Sequence, residues 1–298
     1  MGGREVAADV PFEQREQVLE LLRQGPGEAA RQESAARPDG PPPSRWTLRT
    51  IRASIKTIQD YTLSGVWRWL RRQLGVKLRS GHVQYFSPDP QYTTKVAKLK
   101  RCLRTVARNP KDTVLLFIDE MGYSTWPDAA SDWSASAPAK APEADRQKSG
   151  NGMWRVIGSL NAWTGKVTSL DNYIVGRRQL IQMYDRIAKA YPRAETIYVV
   201  QDNWSIHRHP DVMTALKAWP QIKPVWLPTY APWLNPIEKL WRWLKETVTK
   251  MHHLANDWPA LHQRVNDFLK QFAKGSKRLL QYVGLLGDGQ LAQALQAP

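Results

Sequence analysis

At 298 residues the chain is long enough to bury a core and to form about two domains, and its formal net charge of +16 points to a polyanionic partner. No run approaches the roughly 18 apolar residues of a membrane span and the N-terminus lacks the apolar stretch of a signal peptide, so the expectation is a cytoplasmic protein with no membrane partner. A single cysteine, Cys102, excludes an internal disulfide and a cysteine-based zinc site within one chain.

The charge is unevenly placed. Residues 1–43 carry 5 basic and 8 acidic side chains, 44–112 carry 16 and 3, and 113–298 carry 22 and 16. A compact basic segment of this kind binds nucleic acid with a steep salt dependence, because each neutralised phosphate releases counterions.

In chain order, residues 12–24 show helical spacing at Val18, Leu21 and Leu22, and the Gly/Pro/Ala-rich stretch Gly25 to Pro43 reads as a linker. From Ser44, one helix with Trp46, Leu48, Ile51 and Ile55 on a face is followed, after a break at Gln59–Thr62, by a second. Ser64 is the expected cap of that second helix, Val66, Trp67, Leu70 and Leu74 its buried side and Gly75 its stop. Two short helices around a tight break predict a helix-turn-helix over 44–80, with Arg68, Arg71 and Arg72 turned to DNA; a helical domain with a solvated basic face is the other reading. Residues 92–108 form a basic helix, placed as a connector over 81–112, with Val96, Leu99, Leu103 and Val106 inward and Lys95, Lys98 and Arg101 among its outward cations.

After Asn109-Pro110 the composition changes. VLLFID (114–119) is a buried strand, residues 127–150 a mobile loop, and 153–162 with 166–175 a hairpin around Trp163-Thr164-Gly165. A helix at 178–190, a strand at 196–202, a helix at 210–218, a strand at 223–228 and a helix from about 235 complete the order β-β-β-α-β-α-β-α. This is α/β, a ribonuclease H-like mixed sheet flanked by helices and preceded by a small all-α domain. The catalytic domain is expected over 113–256, with C-terminal helices over 257–298.

Asp119 and Asp202 end strands, and Glu238 falls in the first turn of a helix that Asn235 caps and Pro236 begins. Each alone is an ordinary turn-former, cap or helix acid. Together they are the hard oxygen donors that a pair of divalent cations requires for phosphodiester chemistry. Glu120 alternates to the opposite face of its strand and is left out.

VLLFIDE, YVVQDNWSIH and LPTYAPWLNPIEKLW resemble the three catalytic blocks of transposases in the mariner superfamily, in its bacterial insertion-sequence 630 branch. Asp202 and Glu238 are separated by 35 residues, close to the spacing of that superfamily. The resemblance extends over about residues 44–250, since the Trp46–Leu74 region is similar to the family's winged helix-turn-helix. It implies a ribonuclease H-like core, a catalytic triad of Asp119, Asp202 and Glu238 holding two magnesium or manganese ions, and cut-and-paste movement of double-stranded DNA. A homodimer in the synaptic complex, associated with the nucleoid when DNA-bound, follows from the same resemblance. His207 stands where the family tends to show a histidine, which contacts the scissile phosphate, orients a carboxylate, or is only hydrogen-bonded near the start of the next helix; Lys239 and Arg242 either touch DNA or solvate their helix. Trp204 and Trp233 flank the site, where they stack on bases or pack.

The chain departs from the family pattern at Trp204, Thr229 and Ala231, none of them an expected ligand. Members typically carry a further N-terminal helix-turn-helix, whereas residues 1–43 read as the tail of such a module plus a linker. The alternatives to a transposase are therefore a DNA-binding remnant that no longer transposes and a nuclease of the same fold.

Overall fold

The computed structural model describes residues 12–26, 45–79, 86–133, 142–146 and 150–296, in two compact units, 1–84 and 85–298. Most of the expected linker, residues 27–43, lies outside the described residues, as do parts of the expected loop at 127–150.

The first unit contains α1 (Phe12–Gln24), α2 (Leu48–Ser54) and α3 (Leu63–Gln73), with a short 3-10 turn at Lys56–Ile58. Its core is Val18, Ile51, Ile55, Ile58, Val66, Trp69, Leu70 and Leu74. Two expectations are corrected. Thr62, not Ser64, caps α3, its hydroxyl accepting from the Gly65 N–H at 3.2 Å. Trp69 is buried and Trp67 is 47 % exposed, because Val66, Trp69 and Leu70 keep the i, i+3, i+4 spacing that places side chains on one face. Trp67 instead lies beneath the guanidinium of Arg71, 5.2 Å from its ring centre. Arg68, Arg71 and Arg72 are all exposed.

The second unit is a five-stranded sheet in the order β3-β2-β1-β4-β5, with β1 (Thr113–Ser124), β2 (Met153–Asn161), β3 (Val167–Asn172), β4 (Thr196–Gln201) and β5 (Ile222–Trp226). β1 is antiparallel to β2 and parallel to β4. A central strand buried on both faces reads as a continuous apolar run, and Val114–Ile118 is that run. Its side chains alternate between two clusters: Leu115, Phe117, Met121 and Tyr123 enter one, and Val114, Leu116 and Ile118 the other.

The first cluster is covered by α4 (Tyr92–Arg108), α7 (Ile237–Leu244), α8 (Trp258–Lys270), α9 (Lys277–Val283) and α10 (Gln290–Gln296). The second is covered by α5 (Arg177–Ala190) and α6 (Pro210–Leu216). Neither α4 nor α8 is peripheral: Leu99, Cys102, Leu103 and Val106 of α4 and Leu261, Val265, Phe268 and Leu269 of α8 lie in the same core as β1. The helix read as a connector and the C-terminal helices thus pack in the same compact unit as the sheet. Lys95, expected to face outward, is instead ion-paired at 2.7 Å with Asp89, because Asp89 precedes the helix on the same side and is itself buried.

Candidate active site

Parallel pairing of β1 with β4 stops at Phe117–Val200. Two residues further along come Asp119, still within β1, and Asp202, the first residue past β4; continued alternation returns both to the face of Phe117 and Val200, which belong to one cluster. The first strand is longer than expected: Asp119 is not its end, since β1 continues to Ser124 against β2 alone. The cleft opens where β4 leaves β1 unaccompanied.

The third acid comes from α7. Ile237, Leu240, Trp241 and Leu244 are its buried stripe, and Glu238, one residue off that stripe, stands at the rim. Asp119, Asp202 and Glu238 all line one cleft of about 460 Å³, together with Trp204, Leu227, Thr229, Tyr230 and Asn235. On the outer side of Glu238 runs a second groove lined by Lys239, Arg242, Lys245 and Lys250. Lys250 is ion-paired with Glu246.

The two aspartates are held from behind. Trp241 Nε1 donates to Asp119 Oδ2 at 3.1 Å. The Trp204 N–H donates to Asp202 Oδ1 at 3.0 Å, and His207 Nε2 lies 3.3 Å from the same oxygen. His207 is 1 % exposed, so it stands behind Asp202 and away from solvent in the cleft. Asn235 does not cap α7 with its side chain; its backbone oxygen accepts from the Glu238 N–H at 3.1 Å, while Oδ1 is buried without a partner.

The electrostatics separate the acids. Burial, then the neighbouring charge of Glu238, pushes Asp119 up to about 7. Burial also raises Glu238, against the pull of Lys245 and a hydrogen bond with Asp119. The pair therefore retains a proton near neutrality. Burial opposes ionisation of Asp202 as well, but the bonds from His207 and Trp204 outweigh it and hold this carboxyl below its ordinary value. Glu120 turns to the opposite face, near Tyr184, where burial and then the charge of Asp119 push it up to about 8.

Among the described residues, no three acidic, histidine or cysteine side chains are gathered into a closed metal cage. The donor set nonetheless fits magnesium-type ions. Such cations keep several waters and take only one or two carboxylates each, the remaining positions going to substrate phosphates. A half-buried carboxyl pair that must share a proton is the arrangement a divalent charge relieves.

Residues 114–261 match the family of DDE superfamily endonucleases. The insertion element IS630 39 kDa protein of Shigella sonnei is 27 % identical over 264 residues, covering 87 % of this chain and 71 % of that protein. The residues that carry the sheet and the three acids belong to the DDE superfamily endonucleases, and the chain as a whole is related to an insertion-sequence 630 protein. Among solved structures, the Mos1 transposase paired-end complex with left transposon end matches with a TM-score of 0.61 at 12 % identity, over 99 % of this chain and 80 % of that one. The Mos1 mariner paired-end complex with Mn matches with a TM-score of 0.57 at 13 % identity, over 99 % and 87 %. At such identities these structures establish the ribonuclease H-like fold of the transposase.

Of the expected site residues, the fold of this transposase brings together Asp119, Asp202 and Glu238, with His207 behind Asp202. Lys239 and Arg242 line the adjoining groove. Lys98 and Arg101 are exposed on α4, and Lys95 is not free to leave Asp89 without breaking an ion pair. Trp241 was legible only as a core residue; its hydrogen bond to Asp119 depends on a contact across 122 residues. Lys245 and Tyr230 were not singled out by motif or spacing.

Proposed function

We propose that Asp119, Asp202 and Glu238 are the divalent-metal ligands of this transposase, holding two magnesium or manganese ions for cleavage and strand transfer at transposon ends. The observation that carries the assignment is the convergence of two neighbouring strand positions and one helix position on a single cleft. When bound, the ions activate a water or 3′-hydroxyl and stabilise the departing oxygen.

The protein's own residues orient and neutralise. Trp241 fixes one oxygen of Asp119, and His207 with the Trp204 amide fixes Asp202 as a carboxylate. Lys239, Arg242 and Lys245 offer cations for the DNA backbone beside Glu238. Arg68, Arg71 and Arg72, in a helix-turn-helix over 44–80, and Lys98 and Arg101 on α4, are further phosphate contacts in this reading. Double-stranded transposon ends and target DNA are the substrates, brought together by a homodimer.

Purified protein should cut a duplex carrying the element's terminal repeats in magnesium or manganese and join the resulting 3′ end to target DNA. Asp202→Asn and Glu238→Gln should each lower cleavage by on the order of 1000-fold, equivalent to about 4 kcal/mol of barrier. Undiminished cleavage by both variants would refute the ligand assignment.

A further inference from the structure

Tyr230 holds a backbone conformation that non-glycine residues rarely adopt, with φ of 51°, and its side chain is 78 % exposed at the wall of the cleft. Strain of this kind persists only where the surrounding chain over-determines it. The Thr229 N–H donates to Asp89 Oδ2 at 2.8 Å, and the Thr229 oxygen accepts from the Ser87 hydroxyl at 2.5 Å. Asn203 Nδ2 donates to the Leu227 oxygen at 2.8 Å. Pro228 and Pro232 restrict φ on either side. The result is an aromatic ring held toward solvent beside three acids, instead of being folded into the core below.

Among the described residues that line it, the wall it belongs to has no cation: Trp204, Leu227, Pro228, Tyr230 and Ala231 are its apolar members. The cations lie across Glu238, in the groove of Lys239, Arg242 and Lys245. A nucleic acid strand has the same two sides, an anionic backbone and flat bases. The cleft volume of about 460 Å³ falls in the range of sites that hold one small molecule, enough for a single nucleotide.

We propose that Tyr230, with Trp204, is a stacking platform for an unpaired nucleobase adjoining the phosphodiester that is cut. The base leaves its duplex stack as the strand enters, and an aromatic face replaces the lost stacking. This rests on the assignment of the three acids above, since they locate the reacting phosphate in the same cleft.

The test uses the full chain and a short forked duplex with 2-aminopurine unpaired beside a nick. Its sequence is arbitrary because stacking tolerates any base. Binding is measured in calcium, separately from turnover in magnesium. Wild type and Tyr230→Phe should quench the 2-aminopurine fluorescence. Tyr230→Ala and Tyr230→Gly should lose most of the quenching and bind the fork on the order of 10-fold more weakly, with affinity for fully paired duplex unchanged. The glycine variant removes the backbone strain together with the ring, so equal quenching and affinity in Tyr230→Gly and wild type would overturn the proposal. Absence of magnesium-dependent cleavage in the wild type would instead count against the assignment of the acids, and the calcium measurement would still decide the role of Tyr230.

Discussion

Gly158 lies directly across β2 from Asp119 in the strand register. A β-carbon there would sit 2.5 Å from Cη2 of Trp241. The indole occupies that space and so brings its N–H to the carboxylate. A glycine inside a strand weakens it unless something needs the close approach, and here the approaching group is the indole that donates to Asp119, a proposed metal ligand. Gly158→Ala should displace the ring, cost about 1–3 kcal/mol as an overpacked core position, and reduce metal-dependent nicking. Urea unfolding and a nicking assay on the same preparation check both; wild-type behaviour in each would mean that the indole does not depend on this vacancy. In the sequence Gly158 is one residue of an expected hairpin strand, and only the docking of α7 shows what approaches it. Likewise, the expected cap at Asn235 failed because a backbone oxygen already serves Glu238, which frees the side chain to line the cleft.

At the scale of elements, the loop from Leu227 to Pro232 is held by a segment 140 residues earlier in the chain. Asp89 accepts from Lys95 Nζ, from the Thr229 N–H and hydroxyl, and from the Gln91 N–H. Lys95, then Thr229, holds its carboxyl well below the usual carboxylate range. Because the folded value lies below the unfolded one, the stabilisation is present above about pH 4 and is lost as pH falls through the folded value. Asp89→Asn should therefore melt earlier than wild type at pH 6, with the gap narrowing as the solution is acidified toward pH 2. Thermal melts across that range measure it; a gap independent of pH would exclude ionised Asp89 as the fastening group. Helices and strands were largely legible from periodicity, since each repeats a local pattern. The fastening was not, because Asp89 in the sequence is an acid in a turn and Thr229 a departure in a motif.

For the whole molecule, the proposed metal site links cation binding, protons and stability through the carboxylate pair. Asp119 is raised to about 7, by burial first and then by Glu238, so one proton must leave before both acids coordinate a cation. Magnesium affinity should rise between pH 6 and pH 8, with proton release larger at pH 6; titration calorimetry in buffers of different ionisation enthalpy reads it directly. Without metal, the unfolded chain binds fewer protons than the folded one between the ordinary aspartate value of 3.8 and about 7. This pair's contribution to stability therefore falls as pH rises through that window, and added magnesium should restore it. A magnesium affinity independent of pH would contradict the shared proton.

The order of elements, the apolar run of the central strand and the three acidic blocks could all be read from the residues, because each is a pattern within a few turns of chain. Which tryptophan supports those acids and which tyrosine stands beside them depended on register and helix docking. Those are contacts between residues more than a hundred positions apart, as between Asp119 and Trp241, and no local spacing encodes them. The same holds for the roles of α4 and α8: their apolar stripes announce a buried face, but only the assembled sheet supplies the surface that buries it.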